Sequence, residues 1–190
     1  GNKTGIQVDG GSQNVSVESN IIGVNANMVN TQSEDAEDYG IWVGEGYNVT
    51  ITGNVVSGLG ETNEENIGIV LDSEDIGSGI TIANNLIGVD ESGLNGLPNH
   101  YGVWIGAAKS NVEVYNNILS GNKDSGLVIS GSDVDAYDNN IGYDITGQNI
   151  FPSDTTGIWV GDNASNVSIY RNQIAGNNIS TWGIYCQNIT

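Results

Sequence analysis

Apolar and polar residues alternate along this chain in short blocks that recur from one end to the other. One block, a glycine followed by two apolar residues with one residue between them, occurs at Gly5–Val8, Gly40–Val43, Gly68–Leu71, Gly102–Ile105, Gly126–Ile129, Gly157–Val160 and Gly183–Cys186. A second alternating block follows at Asn14–Val17, Asn48–Ile51, Gly79–Ile82, Asn111–Val114, Asp133–Ala136 and Asn166–Ile169, with a shortened copy at Asn188–Thr190. A period of two predicts strands that each bury one face, and Val and Ile favour strands.

A third short apolar segment follows each second block and always begins behind an asparagine. These asparagines are Asn20, Asn54, Asn85, Asn117, Asn139 and Asn172. Three strands per repeat, stacked repeat upon repeat, predict an all-β fold: a parallel β-helix of about six coils. We expect a right-handed coil because parallel crossovers are right-handed in nearly all proteins. One domain covers residues 1–190.

The fixed place of these asparagines in the repeat has a physical reason. A tight bend between two strands needs a residue in the left-handed region, which asparagine tolerates better than most residues. Stacked side-chain amides can also bond to the coils above and below. We therefore predict an asparagine ladder at one corner of the coil, with its members in the left-handed conformation.

Two hexapeptides connect this repeat to known proteins. Residues Asn117–Asn122 read N-I-L-S-G-N, and residues Asn85–Asp90 read N-L-I-G-V-D. Together with the ladder they resemble the generic repeats of the right-handed parallel β-helix superfamily, which includes pectate lyases, polysaccharide hydrolases and phage tailspikes. The resemblance covers nearly the whole chain and implies that a polysaccharide cleft would lie along the face of the first strands. It carries no activity with it, because the shared residues are those that build the coil.

The spacing between first-strand blocks alternates between long and short, so the repeating unit is a pair of coils. Three long loops lie between a third strand and the next first strand, at Val24–Tyr39, Val89–Tyr101 and Tyr143–Thr156. Because they occupy equivalent places, we expect them to stack on one edge of the rod.

The middle residue of each first strand points outward and forms a row along the rod. The row contains Gln7, Trp42, Val70, Trp104, Val128, Trp159 and Tyr185. An apolar surface row calls for an explanation. One explanation is that the long loops cover the tryptophans as a small secondary core. The other is an open stripe that stacks sugars or docks a protein. The stripe lacks the acidic calcium ligands and the Arg or Lys base that the lyases carry on this face.

One pair of acidic residues suggests chemistry on the second strands. Glu113 and Asp135 occupy equivalent outward positions in adjacent coils, about 4.8 Å apart. Such a pair suits a shared proton, a metal site or a retaining glycosidase, and it equally suits an exposed pair screened by solvent. In neighbouring rows we expect a structural ion pair between Asp138 and Arg171, and a tyrosine stack formed by Tyr115, Tyr137 and Tyr170.

Composition excludes several functions. The chain has 23 acidic against 4 basic residues and a formal net charge of −19, so it repels nucleic acid. Its basic residues are scattered singly, too few to bind an acidic polysaccharide without bridging cations. Apolar runs are too short for membrane insertion. The single cysteine, Cys186, forms no internal disulfide, and its inward position predicts a buried thiol; His100 has no partners for catalysis and is expected to be structural.

Modification and cation sites are predicted at exposed loops. Of the Asn-x-Ser/Thr sequons, the best glycosylation acceptors are Asn2, Asn163 and Asn178, which lie in turns and loops. The acidic loops Ser33–Asp38 and Asp72–Asp75 concentrate oxygen atoms that could bind Ca²⁺, although neither matches a known calcium motif. Solvation of these loops is the alternative, and no other cofactor or metal is expected.

The chain begins and ends within a coil, without a segment that resembles a cap. We therefore expect neighbouring polypeptide to pack against Ile6 and Val8 at one end and Ile184 and Cys186 at the other. These features favour a non-enzymatic extracellular or cell-surface β-helix, structural or adhesive, that forms a fibre or filament by end-to-end self-association. The alternatives are a polysaccharide lyase or hydrolase, a tailspike-like enzyme, or a carbohydrate-binding module with glycans as partners.

Overall fold

The computed structural model describes residues 3–23, 39–60, 66–72, 74–175 and 182–187, and its strands form three parallel sheets. The first sheet contains β1 (Thr4–Val8), β4 (Tyr39–Val43), β7 (Ile67–Leu71), β10 (Tyr101–Ile105), β13 (Ser125–Ile129), β16 (Thr156–Val160) and β19 (Trp182–Cys186). The second contains β2 (Ser12–Glu18), β5 (Gly46–Thr52), β8 (Gly77–Ala83), β11 (Lys109–Tyr115), β14 (Ser132–Tyr137) and β17 (Ser165–Tyr170). The third contains β3 (Ile21–Ile22), β6 (Val55–Val56), β9 (Leu86–Ile87), β12 (Ile118–Leu119), β15 (Asn140–Ile141) and β18 (Gln173–Ile174).

Each strand inside a sheet pairs with its equivalents one repeat earlier and one repeat later, and the strands at the two edges of each sheet pair on one side only. The chain therefore forms coils 1 to 6 of three strands each, from β1–β3 to β16–β18, and β19 begins coil 7. This confirms the predicted parallel β-helix, or β-solenoid. Its right-handed sense stays a prediction from the crossover rule.

The core fills the inside of the coils, where aliphatic residues from all three sheets meet. In coil 2, Ile41, Ile51 and Val56 come from the three different sheets and are all completely buried. Ile82 and Ile105 repeat the arrangement in later coils. Each such side chain contributes about 1.5 to 3 kcal/mol when it leaves water, so the stacked aliphatic columns are the main source of stability.

The asparagine ladder is confirmed, and its side chains bond both to the next coil and to the previous one. Along the ladder each side-chain amide donates to the amide oxygen of the next member at 2.9–3.0 Å, from Asn20 through to Asn172. The same oxygens accept the preceding member's backbone N–H at 2.9–3.0 Å. Asn117 also donates to the Ile82 carbonyl in the previous coil at 2.9 Å, so one side chain joins three coils.

The predicted conformation of the ladder asparagines was wrong. The left-handed residue at this corner is the one immediately before the ladder member, as in Asn84 (φ 57°), Asn116 (φ 54°) and Arg171 (φ 56°). The preceding residue makes the bend, which leaves the ladder residue free to turn its amide inward. A second set of left-handed residues lies within the strands of the second sheet, and includes Asn48 and Asn111 at the third positions of β5 and β11.

The long loops stack on one edge, as predicted, in the part that the structure describes. The loops at 88–100 and 142–155 touch where the Ile145 N–H donates to the Gly93 carbonyl at 3.1 Å. Most of the first loop, residues 24–38, lies outside the described residues.

Serine and glycine alternate at the start of successive loops, which explains the two hexapeptides. The Ser120 hydroxyl in a short loop accepts the Gly142 N–H at 2.9 Å and donates to the Tyr143 carbonyl at 2.7 Å. Gly88 has a φ of 83°, and a Cβ there would lie 2.3 Å from the Ser120 carbonyl oxygen. From coil 1 to coil 5 the long loops therefore begin with glycine and the short loops with serine, and each type packs on the other. In coil 6, Ala175 takes the serine position and packs on Gly142.

The prediction for Cys186 was wrong, since its thiol is exposed. Its side chain follows the inward pattern of the first sheet, but no described strand covers the far side of β19. Among the described residues there is no helix long and apolar enough to cross a membrane.

Candidate functional site

The outward row of the first sheet is in register from coil to coil, as its sequence positions predicted. Trp42 pairs with Val70, Val70 with Trp104, Trp104 with Val128, Val128 with Trp159 and Trp159 with Tyr185. The two valines do not belong to an exposed stripe, which corrects the prediction. Val70 is 7% exposed and Val128 is fully buried, because the larger side chains on either side close over them.

A groove lies over the last four coils on this face. Its lining residues are Tyr101, Trp104, Asp124, Ser125, Thr155, Thr156, Trp159 and Tyr185, and its volume is about 260 Å³. The Trp104 and Trp159 ring centroids are 6.3 Å apart, although their strands are two coils, or about 9.6 Å, apart. The two indoles therefore lean towards each other across Val128. Tyr101 meets Trp104 edge to face at 5.1 Å.

A glycine two residues after each of Trp42, Trp104 and Trp159 lets the indole lie flat along its strand. A Cβ on Gly44 would sit 2.3 Å from the Trp42 ring, and one on Gly161 would sit 3.3 Å from the Trp159 ring. Trp104 is followed by Gly106 in the same way. This Trp-x-Gly pattern is the sequence signal that would have indicated tryptophans lying along the sheet.

Polar groups border the groove on the side where the first strands begin. The Asp124 carboxylate accepts hydrogen bonds from the Ser125 hydroxyl at 2.7 Å and the Thr155 hydroxyl at 3.1 Å. Each carboxylate oxygen keeps further acceptor capacity. Next to it, Lys123 and Asp154 form an exposed ion pair at 2.8 Å. His100 stacks edge to face on Tyr101 at 4.8 Å, beside the groove.

Trp42 lies apart from this groove in a different environment. Its indole N–H donates to the Asp72 carboxylate at 3.0 Å. Near Gly44, Asp9 accepts the Glu45 backbone N–H at 3.3 Å. The tryptophans of the row are all half-buried, and Trp104 and Trp159 line the same cavity.

Lys109 is the residue that sequence reasoning missed. Its side chain is fully buried, and its ammonium donates to the backbone carbonyls of Gly44, at 2.9 Å, and Asp75. Burial lowers the pKa of Lys109, and the nearby carboxylates, Asp72 first among them, oppose that shift. In sequence the isolated lysines looked alike. The one feature that could have indicated burial of Lys109 is that glycines occupy its equivalent positions in the neighbouring coils.

Glu113 and Asp135 lie directly opposite each other in β11 and β14, as predicted. The flanking tyrosines form the expected stack: Tyr115 and Tyr137 are 5.0 Å apart, and Tyr137 and Tyr170 are 5.1 Å apart. Burial raises the pKa of Tyr137, and Glu113 raises it further.

The ion pair next to the tyrosine stack is confirmed. Arg171 donates two hydrogen bonds to Asp138 at 2.8 and 2.6 Å and lies 5.1 Å from the Tyr170 ring. The hydrogen bond from Arg171 lowers the pKa of Asp138.

The remaining predicted sites are modification and cation sites. Asn163 is exposed in the turn between β16 and β17, whereas Asn2 and Asn178 lie outside the described residues. The acidic segment Ser33–Asp38 is outside them too. Among the residues described, no three acidic, histidine or cysteine side chains are arranged to hold a metal ion, and Asp72 instead accepts bonds from Trp42 and Glu74.

The fold and the groove were compared with known proteins in three ways. A scan against protein-family models, a search of curated proteins and a search of solved structures each gave no match. The chain is therefore described by its fold, a parallel β-solenoid, and by the aromatic groove on its first sheet.

Proposed function

We propose that this chain is a non-enzymatic, extracellular adhesive β-helix that binds a neutral glycan in the groove between Trp104 and Tyr185. The pectate-lyase-like β-helix proteins that the sequence resembles bind polysaccharide along the same face. The lack of a cationic group in the lining makes binding, rather than lyase chemistry, the better proposal for this groove.

The observation that carries the proposal is the combination of aromatic rings and a carboxylate in one groove. Sugar rings have apolar C–H faces that pack on aromatic side chains, and Trp104, Trp159 and Tyr185 supply three such surfaces. Asp124 can accept hydrogen bonds from sugar hydroxyls at the rim. Binding pockets combine these features: apolar walls and a few converging polar groups.

The dimensions and the charge narrow the choice of ligand. From Trp104 in coil 4 to Tyr185 in coil 7 the groove spans three coil steps, about 14 Å, which suits a short stretch of oligosaccharide. With a net charge of −19 and Asp124 in the lining, the groove disfavours acidic sugars.

Calorimetric titration with neutral oligosaccharides tests this proposal, with polygalacturonate as the acidic comparison. Trp104→Ala should weaken binding by on the order of tenfold or more, because it removes a wall of the groove. Asp124→Asn keeps the shape of the rim and should cause a smaller loss. Trp42→Ala is the matched control, since Trp42 has the same strand position outside the groove.

The outcomes separate the alternatives. Loss of affinity in Trp104→Ala and not in Trp42→Ala supports the proposal. Equal losses in both variants, or no neutral glycan bound by the wild-type chain, would overturn it. Circular dichroism of each variant shows whether the β-solenoid is intact.

A second proposed property is head-to-tail association of the rods. At the outer coils apolar positions are uncovered: Ile184 in β19 is 44% exposed, and Ile6 in β1 is only partly buried. A further parallel coil pairs with such an edge through backbone hydrogen bonds. We propose that a second copy supplies it.

Sedimentation velocity over a range of concentrations tests this association. The wild-type chain should form species larger than a monomer, and Ile184→Lys should shift them towards monomer. Ile76→Lys, at a residue 67% exposed in a turn, is the control and should leave the distribution unchanged. A wild-type chain that stays monomeric at every concentration would contradict the proposal.

An extracellular location is proposed with the adhesive role. Asn163 precedes Ala164 and Ser165 in an exposed turn, so an oligosaccharyltransferase could reach it. Glycosidase digestion of the native protein should release a glycan from Asn163. An unmodified Asn163 peptide from native material would count against this part of the proposal.

A further inference from the structure

We propose that Asn95 is a site of spontaneous deamidation, and that this modification opens the long loop that follows β9. The proposal rests on two loops with the same internal structure and one difference between them. The loops are Asp90–Asn95 and Asp144–Asn149, and both read Asp, any residue, Ser or Thr, Gly, any residue, Asn.

In both loops the aspartate carboxylate holds the turn together. Asp90 accepts hydrogen bonds from the backbone N–H groups of Leu94 and Asn95 and, at 2.7 Å, from the Asn95 amide. Asp144 is arranged in the same way, with the Asn149 amide at 2.5 Å. The final asparagine therefore closes each loop onto its first residue.

The difference lies in the residue after the asparagine. Gly96 follows Asn95, whereas Ile150 follows Asn149. Asn95 and Gly96 are exposed, and a Cβ on Gly96 would meet nothing within 4 Å. At the antiparallel bridge between Val89 and Gly96, the Asp90 N–H donates to the Asn95 carbonyl and the Leu97 N–H donates to the Gly88 carbonyl. Among the described residues the Gly96 N–H has no acceptor.

This geometry leaves the Gly96 nitrogen open to reaction. After it loses its proton to hydroxide or buffer base, the nitrogen attacks Cγ of Asn95, a C–N bond forms, and the side-chain nitrogen leaves as ammonia after taking up a proton. The resulting succinimide is opened by water at either carbonyl, which gives aspartate or isoaspartate at position 95. The net reaction consumes one water and releases one ammonia, and it needs no cofactor. At position 149 the branched Ile150 side chain shields the equivalent nitrogen.

The product no longer fits the loop. A carboxylate at position 95 would face the Asp90 carboxylate where a hydrogen bond of 2.7 Å joined them before, and like charges at that distance repel. Isoaspartate also lengthens the backbone beside the Asp90 N–H to Asn95 carbonyl bond. The following residues anchor the loop to coil 2, where the Gly58 N–H donates to the Leu97 carbonyl at 3.0 Å. We expect this anchor to loosen.

Incubation of the folded protein in mildly alkaline buffer made with heavy-oxygen water tests the chemistry. Peptide mapping should find labelled aspartate and isoaspartate at position 95, formed at a rate on the order of tenfold or more above that at position 149. Gly96→Ala should suppress the reaction, since the structure has room for the added methyl group. Ile150→Gly should introduce it at Asn149. Equal rates at the two sites, or no effect of either variant, would overturn the assignment.

Hydrogen exchange tests the structural consequence separately. The Gly58 and Leu97 amides should exchange faster in aged wild-type protein and in Asn95→Asp, and should stay protected in Gly96→Ala aged in the same buffer. Unchanged protection in fully deamidated protein would overturn the loop opening.

Discussion

Lys109 places its ammonium in the corner between the first and second sheets, two coils from its own backbone. It can do so because Gly46 and Gly77 occupy the equivalent positions in coils 2 and 3. A Cβ on Gly77 would lie 3.1 Å from Cδ of Lys109, so the methylene chain runs past the missing side chains. The charge then meets two carbonyl oxygens in place of water.

Replacement of this lysine should therefore cost stability through the groups that it leaves behind. Lys109→Met keeps most of the chain volume but removes the donor to the buried Gly44 carbonyl and to the partly buried Asp75 carbonyl. We expect the free energy of unfolding to fall by about 1 to 3 kcal/mol. Lys123→Met removes an exposed ion pair and should change the free energy of unfolding by less than about 1 kcal/mol. Urea denaturation measures both values. Equal effects would contradict the role given to Lys109.

Asp144 makes the free energy of unfolding depend on pH in the acidic range. Burial would raise its pKa, but hydrogen bonds led by those from Thr146 and Asn149 outweigh burial and lower the pKa from 3.8 to about 2. The folded state therefore holds the carboxylate more strongly than the unfolded state does. Its contribution is fully present above pH 3.8 and is lost as the pH falls towards 2.

Denaturation curves between these pH values test the contribution of Asp144. Asp144→Asn should be less stable than wild type at neutral pH, and the difference should shrink as the solution is acidified. Thr146→Val, which removes one donor, should show the same trend with a smaller amplitude. A difference that is constant with pH would mean that the carboxylate charge does not matter.

At the scale of the elements, sequence periodicity was sufficient to predict the strands and the ladder corner. Inward Val and Ile residues recur at fixed intervals, and the ladder position is asparagine in every coil. The left-handed position beside it holds Ser19, Gly53, Asn84, Asn116, Asp138 and Arg171, so residue type gave no pattern there. The groove was only half predictable: its tryptophan row follows from register, but the lean of Trp104 over Val128 depends on side-chain packing.

Among polar positions, we expect replacement of a buried ladder asparagine to lower the free energy of unfolding most. Asn117→Ala removes the acceptor for two N–H groups of Asn85 and the donor to Ile82, all of them buried. We expect a loss of about 3 kcal/mol in the free energy of unfolding. Asn172→Ala, at a half-exposed ladder position, should lose about 1 kcal/mol because water can replace the amide. Thermal denaturation of the two variants, compared at equal concentration, checks this order; a reversed order would contradict it.

For the molecule as a whole, the acidic pair on the second sheet allows a test of the alternative that this chain is a polysaccharide lyase or hydrolase. Glu113 is exposed, and Asp135 lies opposite it beside the tyrosine stack. We expect incubation with neutral and acidic polysaccharides, with and without calcium, to release neither reducing ends nor unsaturated products. Activity that disappears in Glu113→Gln or Asp135→Asn would replace the adhesive proposal with a glycosidase.

The alternation of serine-headed and glycine-headed loops limits how such a chain can change its length. From coil 1 to coil 5, glycine corners at Gly23, Gly88 and Gly142 alternate with serine corners at Ser57 and Ser120, and each glycine corner lies against a serine corner. Removal of a single coil from this stretch would bring two glycine corners, or two serine corners, into direct contact. Duplication or loss of two consecutive coils leaves the alternation matched. We therefore expect engineered variants with coils removed or added within coils 1 to 5 to be more stable when the number of coils changes by two than when it changes by one.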